Sequence, residues 1–211
     1  MGEDKKISMA VIRRLPRYFR YLSDLMQLDI KRISSKELSE RMHITASQIR
    51  QDLNCFGGFG QQGYGYNVEY LYNEISKILG TDKRFTCIIL GAGNMGNALA
   101  NYENFRKRGF DIIGIFDVDE KKIGTKINGI EVYSNEKLPE FIANNKVDIA
   151  ILTVPNKKVI DVAKQITSLG IKAIWNFSPT DLRLGDDVVV ENVHLSDSLM
   201  VLGYRLREKG Y

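Results

Sequence analysis

TASQIRQDLNCFGGFGQQGYGYNV, Thr45 to Val68, holds two kinds of order. In its first half Ile49, Leu53 and Phe56 recur at helical spacing, with Ser47, Gln48, Arg50 and Gln51 left to solvent and Thr45 as N-cap. Its second half, Asn54 to Val68, packs five glycines and four aromatic residues into fifteen positions. Glycine costs entropy wherever the chain is ordered, so this density needs a structural purpose. A two-stranded hairpin supplies one. Bulky and small residues alternate around a Gln61–Gln62–Gly63 tip, the glycines permit the turns, and Phe59, Tyr64 and Tyr66 anchor the strands on helices. The alternative is a Gly-rich loop packing one domain on another.

The residues upstream favour the hairpin. Ile12, Leu15, Phe19, Leu22 and Met26 form the apolar stripe of a long helix, with Arg13, Arg17 and Arg20 on another face and Pro16 forcing a start or a kink. ISSKELSERM then predicts a short helix over about Ser35–Met42, capped by Ser34 or Ser35. A tight turn at His43–Ile44 leads into the Thr45 helix. This order is a helix-turn-helix, whose second helix enters a DNA major groove, and a hairpin following it is a wing. Arg50 suits guanine and Gln51 adenine. Ser34, Ser35 and Lys36 suit backbone phosphates. Thr45, Ser47 and Gln48 share the outward helix, and Gln62 and Gly63 would carry the wing tip to phosphates or the minor groove. Asn67 caps a further helix, VEYLYNEISKIL, ending at Gly80, and TDKR is a short linker. Residues 1–80 are thus expected to form a winged-helix DNA-binding domain. Charge agrees: residues 1–50 hold eleven Lys and Arg against six Asp and Glu, and the remainder nineteen against twenty. A basic module joined to a neutral one points to an anionic partner for the first.

Beyond the linker the pattern changes. FTCIILGAGNMGNALANY reads as strand, Gly-rich turn and helix. Gly91, Gly93 and Gly96 complete G-x-G-x-x-G, with Ala92, Asn94 and Met95 between them: one glycine for the turn, one to admit a pyrophosphate, one for close helix packing. A second strand, FDIIGIFDVD, ends at Asp117 and Val118. An acid there accepts the adenosine ribose hydroxyls and repels a 2′-phosphate, favouring NAD(H) over NADP(H). Lys121 and Lys122, close in sequence, weaken that exclusion. GIEVY is a short edge strand, NEKLPEFIANN a helix, VDIAILTVP a central strand, NKKVIDVAKQITSLG a helix, IKAIWNFS and VVVENV strands. Residues 85–193 therefore predict a Rossmann-like, doubly wound parallel sheet. Thr153, Val154, Pro155, Asn176 and Phe177 sit at carboxyl ends of strands and are candidates to line a nicotinamide pocket.

Other chemistries lack their residues. The two histidines, His43 and His194, are poorly placed as hydride-transfer acid/base groups, and no separate substrate domain follows the sheet. Cys55 and Cys87 make no CxxC, so neither a disulfide framework nor a zinc site is expected. No run is apolar and long enough to span a bilayer, and MGEDKKISM lacks an apolar signal core, which predicts a cytoplasmic protein. In the tail, residues 194–211, Leu199, Leu202 and Leu206 predict an amphipathic helix that packs on its own sheet or crosses to a second copy of the chain as a dimerisation helix.

RLPRYFRYL, SSKELSERMHITASQIRQDLNCFGGFGQQGYGY, ILGAGNMGNALANY, FDVD, LTVP, NFSP and ENV, in that order, resemble the Rex family of bacterial redox-sensing transcriptional repressors over nearly the whole chain. The resemblance implies a winged helix, a Rossmann domain binding NADH and NAD⁺, and a C-terminal helix swapped within a homodimer on an inverted-repeat operator. It implies release from DNA by NADH and no catalytic residues. It assigns Arg50 to DNA reading, Gly91, Gly93, Gly96 and Asp117 to the dinucleotide, and Tyr102 and Arg20 to the NADH switch. Gln51 stands where members often carry Lys and Gln62 where the wing often carries Arg. His194 stands where some carry an Asp that pairs with the arginine matching Arg20, so that pair cannot form here. Two other classes compete: a small NAD-dependent oxidoreductase with an N-terminal interaction domain, and a regulator binding CoA or another nucleotide.

Overall fold

The computed structural model describes residues 7–61 and 64–210. The chain divides into two compact units, Met1–Lys83 and Arg84–Tyr211.

In the first unit α1 (Met9–Ile12) stops before α2 (Leu15–Gln27) because Pro16 occupies the first turn of α2, where its missing N–H costs nothing. Then come β1 (Arg32–Ile33), α3 (Ser35–Met42), α4 (Ala46–Asn54), β2 (Gly60–Gln61), β3 (Gly65–Asn67) and α5 (Val68–Leu79). Ser34 settles the capping of α3. Its hydroxyl accepts the Glu37 N–H at 3.1 Å, and the Glu37 carboxylate accepts the Ser34 N–H at 2.8 Å. His43, at φ 52°, ends α3 in the left-handed region, and Thr45 caps α4 through the Gln48 N–H. The core joins Leu15, Tyr18, Phe19, Leu22 and Leu25 of α2 to Leu38, Ile49, Leu53, Leu71 and Ile75. The expected stripe thus ends at Leu25 rather than Met26, which is 38% exposed. Helical phase does not explain this: Met26 stands four residues after Leu22 on the same face, in the last turn of α2.

The wing is a three-stranded antiparallel sheet, order β1-β3-β2, rather than a bare hairpin. Two residues of β1 carry too little periodicity to be read from sequence. Gly65 is required: at φ +69° an added Cβ would stand 2.6 Å from the Ile33 carbonyl oxygen. Tyr66 is buried and Phe59 packs on the core, but Tyr64 is 70% exposed and anchors nothing there. The Arg32 guanidinium instead lies over its ring, 5.8 Å from the centroid.

The second unit contains β4 (Phe85–Leu90), α6 (Asn94–Ala100), α7 (Asn104–Lys107), β5 (Phe110–Asp117), β6 (Lys126–Ile127), β7 (Ile130–Ser134), α8 (Leu138–Asn144), β8 (Ile149–Leu152), α9 (Val159–Ser168), β9 (Ala173–Asn176), β10 (Val189–Asn192) and α10 (Leu195–Glu208). Strand order is β10-β9-β8-β4-β5-β7-β6, parallel throughout except for the β6–β7 pair. This is the dinucleotide-binding order, which reverses beside β4. Ile88, Ile89 and Leu90 of that central strand are fully buried. GIEVY is therefore not the edge: β6 folds back and takes that place.

Among the described residues the crossovers from β5 to β7 and from β9 to β10 carry no α-helix. One sheet face is covered by Leu138, Val159, Ala163 and Ile166 of α8 and α9. The other, beyond α6 and α7, keeps an apolar cavity of about 330 Å³ lined by Cys87, Phe105, Ile112, Ile149, Ile151 and Trp175. Helix α10 does not pack back: Leu199, Leu202 and Leu206 are 68%, 58% and 51% exposed. Cys55 is exposed and Cys87 buried, both as free thiols. Burial pushes the Cys87 thiol up to about 12.

Candidate functional site

The Gly-rich turn between β4 and α6 uses its glycines for three different reasons. Gly91 has φ +104°, and a Cβ there would lie 2.7 Å from the Thr153 carbonyl oxygen. Gly96 passes so close beneath the turn that a Cβ would stand 1.9 Å from the Gly91 oxygen. Gly93 answers to nothing in the chain: a Cβ would meet no atom within 4 Å. It opens instead on a cavity of about 400 Å³ lined by Ala92, Asn94, Asn97, Ala98 and Lys122. Open space beside a glycine that local packing does not demand fits a pyrophosphate against the backbone.

Asp117 closes one side of this turn. It is 8% exposed. Its carboxylate accepts the Ala92 N–H at 2.7 Å, the Asp119 N–H at 2.9 Å and the Lys122 ammonium at 3.3 Å. Burial alone would raise its pKa. The two N–H donors and Lys122 outweigh burial and hold it below the usual carboxylate range. Val118 and Asn94 are exposed and Met95 half-buried.

At the strand ends Thr153 stitches β8 to the turn, its hydroxyl within 3.0 Å of Leu90 O and 2.7 Å of Gly91 O. Val154 is half-buried and Pro155 exposed. Asn176, expected to face a ligand, is fully buried and committed elsewhere. Its amide donates to Thr180 O and Asn192 Oδ1, each at 2.8 Å, and its Oδ1 accepts the Ser178 N–H. The connection from β9 to β10 carries no α-helix, and this amide ties its first residues to Asn192 at the end of β10. Phe177 meets Trp175 edge to face at 4.5 Å, Trp175 meets Phe105 at 5.5 Å, and Phe105 meets Tyr102 at 4.8 Å. This aromatic row joins Tyr102 to a strand end. Phe105 and Trp175 had no motif to reveal them.

On the first unit Ser47, Arg50, Gln51 and Lys36 are exposed. Arg50 lies against α3, donating to Ser35 Oγ at 3.1 Å. Three expected DNA contacts are engaged in holding the fold. Ser34 donates to Glu37, Thr45 caps α4, and the Gln48 amide donates to Asp52 at 2.8 Å. Gln62 and Gly63 lie outside the described residues. Asp52 escaped the sequence reading. It is fully buried on α4 and accepts two hydrogen bonds from Arg14 at 2.7 Å and one from the Tyr18 hydroxyl at 2.9 Å. Only its place on the apolar side of α4, next to Leu53, signals it. Arg20 is exposed, its guanidinium 5.7 Å from the Tyr21 ring centroid, and Tyr102 is half exposed. His194 pairs with Asp181 at 2.8 Å, and that hydrogen bond raises the imidazole pKa.

Among the described residues no cluster could hold a metal ion, and no helix is long and apolar enough to cross a membrane. Residues 6–54 match the family model described as "Putative DNA-binding protein N-terminus", and residues 82–180 the one described as "CoA binding domain". The redox-sensing transcriptional repressor Rex of Caldanaerobacter subterraneus subsp. tengcongensis is 62% identical over 209 residues, 99% of this chain and 93% of that protein. This chain belongs to the Rex family. The Rex of Clostridioides difficile is 55% identical over 97% of this chain and 98% of its own. Two crystal structures of the Rex-family repressor RSP superpose at a TM-score of 0.90. One, with NAD⁺ and operator DNA, is 60% identical and covers 96% of this chain and 94% of its own. The other, with NADH, is 56% identical and covers 97% and 96%. A Rex fold, a DNA-binding unit followed by a Rossmann-like parallel sheet, is therefore shared by all three.

Proposed function

We propose that this Rex-family chain represses transcription from operator DNA and is released as the ratio of NADH to NAD⁺ rises. The observation that carries the reading is Gly93: it opens on a cavity beside an ionised Asp117, in a chain whose other unit presents Arg50 and Gln51 on an exposed helix. Gly91, Gly93 and Gly96 would admit the pyrophosphate and Asp117 the adenosine ribose. Pro155 and Phe177 would border the nicotinamide, with Val154 behind them.

NAD⁺ and NADH share every phosphate and ribose contact, so those contacts cannot tell them apart. Only the nicotinamide differs, a cation in one and neutral in the other, and an apolar border penalises an unpaired cation. The exposed apolar face of α10 supports a cytoplasmic homodimer in which this helix crosses to the second copy, on an inverted-repeat operator. The domains are then residues 1–80, 85–193 and 194–211, with Arg20, Tyr102 and His194 in the switch. An oxidoreductase is the weaker reading, since the only histidine of the second unit is His194, already held by Asp181.

Linkage supplies the test. A coupling of roughly 1–3 kcal/mol makes each ligand weaken the other about 5–150-fold. NADH affinity, measured by calorimetry with and without saturating operator, should fall by the factor by which NADH weakens DNA binding. Equal affinities in the two titrations would overturn the switch. Arg50 is the residue to test for base reading. Arg50→Ala should cost about 1–3 kcal/mol and relax preference at one operator position. Equal loss on all sequences would reduce Arg50 to a phosphate contact.

A further inference from the structure

The aromatic row from Phe177 to Tyr102 is held unequally at its two ends. Trp175 and Phe177 alternate with buried Asn176, so both rings share one side of the sheet. The backbone of Trp175 is paired on both sides, with Ile151 of β8 and Glu191 of β10. Phe105, by contrast, belongs to α7, a helix of four residues of which none is buried. Tyr102 stands just before α7, 52% exposed, its hydroxyl accepting the Asn104 amide at 3.3 Å. A segment with so little buried apolar surface shifts at low cost. One end of the row is therefore fixed in the sheet, and the other rides on a weakly held element.

The ring of Phe105 bridges the two ends, edge to face with Trp175 at 5.5 Å and with Tyr102 at 4.8 Å. Phe105 and Trp175 also line the apolar cavity of about 330 Å³ on this side of the sheet. A ring enclosed in a close-packed core turns only by overpacking its neighbours, whereas a ring that borders a cavity has room to turn. Edge-to-face pairs are directional, so turning one ring changes the fit of the next. Coupling between sites needs an element whose arrangement both sites bias, and this row reaches from the nicotinamide border to Tyr102.

We propose that Phe105 and Trp175 are positioning residues of the NADH switch: they carry the displacement of Phe177 by a bound nicotinamide to Tyr102, without themselves forming the dinucleotide or the DNA site. The inference rests on the reading of Phe177 as nicotinamide border and of Tyr102 as part of the switch.

The test is the coupling factor, by which saturating operator weakens NADH binding, measured by calorimetry on the full chain. It is expected at about 5–150-fold in wild type. Phe105→Leu should reduce it about 2–12-fold, the strength of one edge-to-face pair, while NADH affinity without operator and operator affinity without NADH hold their wild-type values. Trp175→Phe, which shortens the row from its fixed end, should reduce it as well, and Phe105→Tyr, which keeps the ring, should preserve it. Phe110→Leu is the control: Phe110 lines the same cavity but stacks on Phe85, outside the row, so the factor should stay. Trp175 is the single tryptophan of the chain, so its emission reports the row directly. Operator should change that emission in wild type and leave it unchanged in Phe105→Leu. A wild-type factor in both Phe105→Leu and Trp175→Phe, or an equal loss in Phe110→Leu, overturns the role of the row and leaves the switch standing. A wild type whose NADH affinity ignores operator overturns both.

Discussion

Replacing Gly96 with alanine should abolish the response to NADH while operator binding persists. The added methyl would stand 1.9 Å from the Gly91 carbonyl oxygen, far inside van der Waals contact. The neighbour that would have to yield is backbone, and Thr153 pins it through its hydroxyl. Helix α6 must therefore lift, at an overpacking cost of about 1–3 kcal/mol. The turn that positions Gly93 and the Ala92 N–H moves with it, and binding should weaken on the order of 100-fold or more, about 2.7 kcal/mol. The first unit has its own core, so the variant should still bind operator and no longer leave it when NADH is added. Fluorescence anisotropy of labelled operator, with and without NADH, reads both effects. Gly93→Ala separates folding from binding: its methyl meets nothing in the chain, so thermal stability should match wild type while NADH affinity falls. Wild-type NADH affinity in Gly96→Ala would falsify the assignment of this turn.

The second large effect is expected at Asp52. Asp52→Ala removes the acceptor shared by Arg14, Tyr18 and Gln48, which joins α2 to α4. Breaking a buried pair typically costs about 3–5 kcal/mol because the remaining partner stays desolvated. Arg14 retains 33% exposure and can rehydrate in part, which places the expected loss near the lower bound, about 3 kcal/mol. Domains of this size hold only about 5–15 kcal/mol, so operator binding should fall with the folded fraction.

Acid titration gives an independent check with a definite sign. Burial would raise the Asp52 pKa, but Arg14, Gln48 and Tyr18 hold it below its ordinary value. A carboxyl depressed in the folded state contributes stability that is complete above its unfolded pKa and is lost as pH falls through its folded pKa. Urea midpoints of the wild type should therefore drop on acidification below about pH 4, and those of Asp52→Ala should drop less. Parallel acid profiles would show that Asp52 is not the group responsible.

Much of this molecule was written in local sequence. Helical phase marked α2 and α4, capping serines marked α3, Thr45 and Asn67 announced their caps, and Gly91, Gly93 and Gly96 announced the dinucleotide turn, because each is a one-chain, short-range requirement of backbone geometry. Other features depended on partners far away in sequence. Strand β1 exists only because β3 pairs with it. Met26 is 38% exposed although its spacing puts it on the face of Leu22. Asn176 became a buried tie because the chain from β9 to β10 carries no helix, and Gln48 faced Asp52 rather than solvent because Arg14, 38 residues from Asp52, completes the site. Lys121 and Lys122 make the same point: composition and spacing treat them as equals, and only the tertiary structure puts one ammonium on Asp117. A periodic pattern fixes which face of an element is apolar. Which polar group is desolvated, and therefore which must find a partner, is decided when the elements pack.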